Sequence, residues 1–244
     1  MYCRKLILAL LVSFVGGVSY ADLPFERRWG SYSADEKAAL LDGEIFSEAV
    51  RSPVEGGWPQ AGAWAVIPGV TPKESMAVFF DYEDQQEYLN RVHTSLILRP
   101  RNKEPSIEMH VLYRLKKELG ISVDYAVKDT VRRRRHSRDE RQDQYLMSWE
   151  LSDVVTTRFV RAVSGYARFE ALIEDGELIG TYITYFNWIV PTYTPPGVDE
   201  TEKALEIVDV VRALRERVQF VQGNRSMSEK REWQLQRLDA VPFP

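Results

Sequence analysis

Residues 62–92 constrain the fold of this chain more than any other part of the sequence. Residues 63–67 form an apolar run of strand length, and a turn containing two prolines follows it. Thr71 can cap a helix that begins at Pro72, where a missing backbone N–H costs nothing. The pattern predicts a strand, then a short amphipathic helix after the turn, and another short helical segment over residues 84–90.

A long amphipathic helix is predicted near the end of the chain, from about Glu200 to Val221, with Asp199 as its N-cap. Its apolar stripe has a period close to 3.6 and consists of Ala204, Ile207, Val208, Val211, Leu214, Val218 and Val221. Strand-like segments fill the middle of the chain, and the dipeptide Asp175-Gly176 is a strong hairpin signal. A sheet placed between early helices and one late helix can wrap around the late helix and leave an apolar cavity.

The order of these segments resembles the START-like, helix-grip superfamily, which includes lipid-transfer domains, polyketide cyclases and the major birch-pollen allergen. The matching pieces are the opening AVIPGVTPKESMAVFFDYEDQQEYLNRV, the hairpin GYARFEALIEDGELIGTYITYFNWIVP and the helix after Val198, so the resemblance covers roughly residues 42–221. It implies an α+β fold, with a curved antiparallel sheet wrapped around a long C-terminal helix and two short helices after the first strand. Ala167 stands where the family's G-x-W-x-F strand has tryptophan.

The first 21 residues have the pattern of a targeting segment. Arg4 and Lys5 form a positive start, residues 6–15 are apolar, and Ser19-Tyr20-Ala21 is a small-x-small cleavage site. We expect export to a periplasmic or envelope-associated location, with an uncleaved anchor as the alternative. Cys3 is the only cysteine, so the mature chain would contain no disulfide.

Four segments are therefore expected: a signal peptide over 1–21, a leader with a short helix over 22–41, a START-like ligand-binding domain over 42–221, and a polar tail over 222–244. The chain contains 32 Lys+Arg and 36 Asp+Glu, a net charge of −4. This balance gives no general electrostatic attraction to nucleic acid. The three histidines are isolated in the sequence, so we predict neither a metal site nor a cofactor.

The candidate cavity residues come from the predicted strands and from the stripe of the last helix: Tyr113, Tyr125, Trp149, Arg161, Phe169, Tyr182, Phe186, Val208 and Val211. The strand over residues 157–173 has a mostly apolar face that includes Arg161 and Phe169. An inward arginine needs an anionic partner, either a carboxylate or a ligand head group, but near a strand end it can extend to water instead. Tyrosine and tryptophan suit an amphiphilic ligand, and they also suit an ordinary core.

The densest charge cluster is Arg132-Arg133-Arg134-Arg135, within a predicted charged connection over residues 131–144. On a hairpin tip these arginines could contact anionic lipid head groups, each contributing roughly 1 kcal/mol near a charged surface. A solvated loop is the alternative interpretation.

The patterns and the resemblance together imply an exported protein that binds or carries a lipid or other hydrophobic ligand without catalysing a reaction. The alternative is an enzyme of the polyketide cyclase or dehydratase type that uses the same cavity. Such an enzyme needs acid/base groups in the pocket, and the inward strand faces show no poised histidine or pair of carboxylates. A small adaptor with a filled core is the third interpretation.

Overall fold

The computed structural model describes residues 23–103, 106–115, 124–135, 139–193 and 198–239. The helices are α1 (Ala34–Leu41), α2 (Pro72–Phe79), α3 (Tyr82–Tyr88), α4 (Glu200–Gly223) and α5 (Ser228–Asp239). The strands are β1 (Phe46–Val50), β2 (Gln60–Pro68), β3 (Val92–Lys103), β4 (Ser106–Leu115), β5 (Asp124–Arg134), β6 (Gln144–Leu151), β7 (Val160–Glu174) and β8 (Glu177–Pro191). These elements confirm the predicted α+β class, with α2 and α3 directly after the first hairpin.

The eight described strands form one curved antiparallel sheet in the order β1-β2-β8-β7-β6-β5-β4-β3. The segment that contains α2 and α3 carries the chain from β2 to the far edge of the sheet, where β3 lies. Strands β3 to β8 then follow one another as a meander, and β8 pairs with β2. This path makes α4 the last element to pack onto the concave face.

Helix α2 begins where the sequence predicts. The Thr71 hydroxyl accepts a hydrogen bond from the Glu74 N–H at 3.2 Å, and the Glu74 carboxylate accepts one from the Thr71 N–H at 2.9 Å. This reciprocal capping satisfies two backbone groups at the helix start, and Pro72 occupies the first turn.

The concave face of the sheet carries the main core and is covered by α2 and α4. Small side chains on β2, including Ala63 and Ala65, let α4 approach closely. The buried apolar stripe of α4 consists of Ile207, Val211, Leu214, Val218 and Val221. Val211 is fully buried, whereas Val208 is only partly buried because it lies on the flank of the stripe.

The convex face of the sheet is covered by the leader, residues 23–41, which the sequence did not indicate. Its apolar side chains pack against residues of β2, β7 and β8 in two smaller clusters. The contacting leader residues are Leu23, Phe25, Trp29, Tyr32, Leu40 and Leu41. The leader therefore forms a third layer and leaves the sheet with no open face over these strands.

The polar tail contains a helix that the sequence analysis did not predict. Helix α5 packs against α2, and Gln234 Nε2 donates to Asp81 Oδ2 at 2.8 Å. Residues 240–244 lie outside the described residues.

The prediction of a charged connection after residue 130 was wrong. Strand β5 continues to Arg134 and pairs with β6, so the first arginines of the run are part of the sheet. Arg133 is buried, and its Nε donates to Asp143 Oδ2 at 2.8 Å. This ion pair removes the charge of Arg133 from the surface.

The expected targeting segment, residues 1–21, lies outside the described residues and stays a prediction. Among the helices of the described chain, none is both long enough and apolar enough to cross a membrane.

Candidate functional site

The residues predicted to line a cavity divide between the two faces of the sheet. The concave core contains Tyr113, Tyr125, Trp149, Phe169 and Val211. Tyr182 and Phe186 lie on the convex face, packed against the leader, so their predicted inward orientation was wrong.

The register of the β7–β8 hairpin explains this orientation. A two-residue turn at Asp175-Gly176 with regular pairing would place Phe169 opposite Tyr182. A register shift after Leu172 instead pairs Phe169 with Ile183, which turns the other set of β8 side chains inward.

The inward aromatic residue of β8 is Tyr185, which the sequence analysis did not name. Its ring centroid lies 5.4 Å from that of Trp149 and 6.2 Å from that of Phe79. Tyr185 pairs across the sheet with Ala167, the residue at the family's tryptophan position. A large aromatic side chain is thus present on the neighbouring strand beside the small alanine.

Arg161 does not enter the interior. It occupies a second irregularity, between Val160 and Ala162, and its side chain is exposed. Its Nε donates to the Pro191 carbonyl at 3.1 Å, and its Nη2 donates to the Glu55 carbonyl at 3.2 Å. Of the two alternatives for this arginine, extension to the surface is the one observed.

A small cleft opens between the first turns of α4 and strands β2 and β8. Its volume is about 30 Å³, on the scale of one or two water molecules. Its walls are Trp58, Pro59, Ala61, Tyr185, Asn187, Ile189, Lys203, Glu206, Ile207 and Val210. Most of these side chains are apolar or aromatic, and helix α4 contributes both charged groups.

Lys203 is the most unusual residue of this cleft, because lysine is rarely buried and this one is only 7% exposed. Its ammonium lies 3.8 Å from the centroid of the Trp58 ring and forms an ion pair with Glu206. Burial lowers the pKa of Lys203, and the Glu206 carboxylate opposes that shift. Glu206 also accepts from Arg91, whose Nη1 lies 3.2 Å from Oε2.

Asp129 is a buried carboxyl group deeper in the concave core, and the sequence analysis missed it. It is 2% exposed, and its Oδ2 has no hydrogen-bond partner among the described residues. Burial raises the pKa of Asp129 well above its usual range, and the Tyr82 hydroxyl opposes this shift. The alternation of β5 could have identified it, because Val127 and Val131 point to the same face.

Further polar atoms on this side of the sheet are buried without a hydrogen-bond partner in the described part of the chain. They are Trp58 Nε1, Tyr88 Oη, Ser95 Oγ and Tyr145 Oη. By contrast, Tyr113 Oη donates to Gln85 Oε1 at 2.6 Å. Buried polar groups are normally paired, so each exception calls for an explanation.

A larger groove, about 330 Å³, runs along the outer surface of α4 beside Tyr88. Its arginines already have carboxylate partners. Arg212 pairs with Asp209 at 2.5 Å, and Arg217 pairs with Asp84 at 2.7 Å. The charges of these arginines are therefore already balanced within the protein. Within the described residues, no group of His, Cys, Asp and Glu side chains could hold a metal ion.

The comparisons with known proteins concern the fold. No protein-family model and no curated protein matches the sequence. A crystal structure of human STARD10 is similar with a TM-score of 0.61 at 10% identity, over 82% of this chain and 79% of that chain. A STAR-related lipid transfer protein from Xanthomonas axonopodis gives 0.56 at 13% identity, over 72% of this chain and 93% of that chain. The lipid transfer and protein localization domain of human StarD13 gives 0.50 at 12% identity, over 75% and 94%. Together with the sheet order and the position of α4, these matches show that the chain has the START-like, helix-grip fold.

Proposed function

We propose that the protein binds a lipid-like ligand between α4 and the concave face of the sheet and carries it without changing it chemically. The observation behind this proposal is the cleft under α4. It combines apolar walls such as Ile207 and Val210 with a small number of polar groups, as small-molecule sites usually do. Two of the structurally similar proteins are described as lipid transfer proteins or domains, which supports the same ligand class.

Uptake of such a ligand requires the cleft to widen. Its volume of about 30 Å³ is far below the roughly 300–1,000 Å³ of typical ligand pockets. We expect the loop over residues 51–59 to move, because it contains no helix or strand. The backbone N–H of Trp58 donates to the Ile189 carbonyl at 3.1 Å. The backbone carbonyl of Trp58 accepts a hydrogen bond from Trp188 Nε1 at 3.1 Å. Helix α4, in contrast, is fixed by a continuous buried stripe.

The unpartnered polar atoms of the concave core also support a ligand with at least one polar group. An unsatisfied buried polar group costs about 1–3 kcal/mol. A ligand that enters beside Trp58, Ser95 or Asp129 can supply the missing partner.

The test is uptake of an uncharged fluorescent probe, N-phenyl-1-naphthylamine, by the purified protein. Val210→Trp fills the cleft and should weaken probe binding at least tenfold, equivalent to about 1.4 kcal/mol. Leu205→Trp is the matched control, because Leu205 lies on the same helix but is 63% exposed. It should bind the probe as the wild type does.

Mass spectrometry of organic extracts from the purified protein identifies any bound lipid. A wild-type protein that takes up no probe and yields no lipid would contradict the proposal and leave the filled-core interpretation. Undiminished binding by Val210→Trp would show that the ligand lies elsewhere.

A second candidate, an enzyme of the cyclase or dehydratase type, is favoured by Asp129. A buried carboxylic acid that stays protonated can donate a proton to a carbonyl group in the cavity. Conversion of a polyketide analogue by the wild type, with loss of turnover in Asp129→Asn, would support it. Recovery of the bound ligand unchanged supports the carrier.

We also propose that the carrier acts after export, in the periplasm or at the envelope. N-terminal sequencing of protein from the envelope fraction tests this, with Asp22 as the expected first residue. Contact with anionic lipid would depend on Arg132, Arg134 and Arg135, because Arg133 is buried against Asp143.

A further inference from the structure

The cleft under α4 is lined by more hydrogen-bond donors than acceptors. We name the group Trp58, Tyr185, Asn187 and Lys203 the donor cleft; all four line the same small cavity. Lysine and the tryptophan N–H are donors only, whereas tyrosine and asparagine can do both.

Apart from Lys203, which pairs with Glu206, these donors lack a hydrogen-bond partner among the described residues. Trp58 Nε1 is buried and unpartnered among the described residues. Asn187 uses Oδ1 to accept from Trp149 Nε1 at 3.2 Å, which leaves its NH₂ group as the donor toward the cleft. The hydroxyl of Tyr185 makes no hydrogen bond with any residue that the structure describes.

The carboxylate acceptor of the cleft already has partners within the protein. Glu206 is the acidic residue in the wall of the cleft, and it is shared between Lys203 and Arg91. A ligand that offers only donors would have to compete for Glu206 or for Asn187 Oδ1, or use the hydroxyl of Tyr185. A ligand that offers acceptors would pair with groups that now lack partners.

We propose that the donor cleft binds the carboxylate of an anionic amphiphile such as a fatty acid, with Lys203 as its charge partner. This inference rests on the proposed function. A carboxylate has two oxygens that only accept hydrogen bonds, and it pairs strongly with an ammonium. Its small size suits the cavity, and the apolar wall of Ile189, Ile207 and Val210 continues from the same cleft toward the core.

On binding, the ligand carboxylate replaces Glu206 as the ion-pair partner of Lys203. This exchange keeps the buried ammonium paired at every stage, which matters because an unpaired buried charge is strongly unfavourable. An uncharged lipid would leave the Lys203–Glu206 pair as it is and gain only the apolar contacts.

The experiment compares oleate with oleyl alcohol, each displacing N-phenyl-1-naphthylamine from the wild type and from variants. The wild type should bind oleate roughly tenfold or more tightly than the alcohol, since a hydrogen bond to a charged group is worth about 1.5–3 kcal/mol. Lys203→Met should lose this preference and keep its affinity for the alcohol. Glu206→Gln should bind oleate more tightly, because the competing carboxylate is gone.

Lys37→Met is the matched control. Lys37 also lies over a tryptophan, with Nζ 5.7 Å from the centroid of the Trp29 ring, but Trp29 packs on the convex side of the sheet. The preference for oleate should be unchanged in this variant. Trp58→Phe keeps an aromatic ring and removes the indole N–H, so it tests the donor cleft if Lys203→Met does not fold.

Several outcomes would overturn the inference. Equal affinity for oleate and oleyl alcohol in the wild type is one. A preference that survives both Lys203→Met and Trp58→Phe is another, and weaker oleate binding by Glu206→Gln is a third. Probe uptake without a preference for oleate would defeat the inference alone, whereas absence of both probe uptake and extracted lipid would defeat the proposed function as well.

Discussion

The two faces of the sheet bury similar side chains but treat their polar atoms differently. On the convex face, Tyr166 Oη donates to the Pro24 carbonyl at 2.5 Å and Tyr182 Oη donates to the Arg27 carbonyl at 2.7 Å. Trp64 Nε1 on the same face donates to the Phe25 carbonyl at 3.2 Å. On the concave face, Trp58, Tyr88, Ser95, Asp129 and Tyr145 each keep an atom without a hydrogen-bond partner among the described residues. Arg168 Nε on the convex face also lacks a hydrogen bond there, but it forms an ion pair with Glu170 Oε2 at 2.9 Å.

The different pairing of polar side chains on the two faces follows from what covers each face. Residues 24–27 of the leader meet the convex face outside any helix, so their backbone carbonyls are available to the side chains of the sheet. Helices cover the concave face, and their backbone groups are already used within each helix. Side-chain polar groups on the concave face thus depend on one another or on a ligand. We therefore expect substitutions on the convex face to change stability alone, and those on the concave face to change ligand binding too.

The largest effect is expected from a charge in the centre of the α4 stripe. Val211→Asp would bury a carboxylate in the fully buried stripe, which costs several kcal/mol and would unfold a domain of ordinary stability. Val208→Asp should be much milder, because Val208 is partly exposed. Urea unfolding followed by circular dichroism measures both. Equal loss in the two variants would show that the helix packs in another orientation.

The free energy of unfolding of Asp129→Asn, relative to that of the wild type, is expected to increase as the pH rises. Below about pH 4, near the ordinary aspartate pKa of about 3.9, the carboxyl is protonated in both the folded and unfolded states. At higher pH the unfolded chain ionises while burial keeps folded Asp129 protonated, so the wild type loses stability up to the raised folded pKa. The loss is about 1.4 kcal/mol for each unit by which the folded pKa exceeds the unfolded one.

The measurement for Asp129→Asn is the free energy of unfolding across this pH range. The isosteric amide removes the titration and keeps the size of the side chain. A difference between wild type and variant that does not change with pH would contradict the assignment of a protonated buried acid.

Two glycines allow a matched test of the faces. A Cβ at Gly165 would lie 2.4 Å from the Trp149 ring and 2.5 Å from the Phe186 carbonyl oxygen, and one at Gly62 would lie 2.7 Å from Phe25. Alanine at either position should destabilise by about 1–3 kcal/mol through overpacking. Only Gly165→Ala should alter probe uptake, since Trp149 positions Asn187 in the cleft. Thermal unfolding and probe titration of both variants give the answer, and reduced uptake by Gly62→Ala would break the distinction.

The smallest effect is expected on the convex face. Tyr182→Phe removes the hydroxyl that bonds the Arg27 carbonyl and that lies 3.0 Å from Tyr32 Oη. The loss should be about 1 kcal/mol of unfolding free energy, with unchanged probe binding. A change in binding would mean that the leader is coupled to the cleft.

Much of the fold follows from local sequence patterns. The Thr71–Pro72 helix start, the Asp175-Gly176 turn and the apolar stripe around Val211 depend on residues close together in the chain, and each is present where expected. The short helix of the leader was predicted and is present as α1. The packing of the leader on the convex face was not predicted, because it depends on contacts with distant strands. Helix α5 was not predicted because its sequence is mostly polar and its contacts are with α2 and α4.

The sequence by itself determined the periodicities, the caps and the turns, because these depend on neighbours within a few residues. Only the tertiary structure decided which face each residue of β8 presents. One register shift beside Leu172 turns Tyr182 and Phe186 toward the leader and Tyr185 toward the core. Burial of Lys203 and Asp129 was likewise decided in three dimensions, since the groups that enclose them come from strands and helices far apart in the chain. The candidate site consists of such long-range contacts, so the sequence could indicate its chemistry but could not assign its residues.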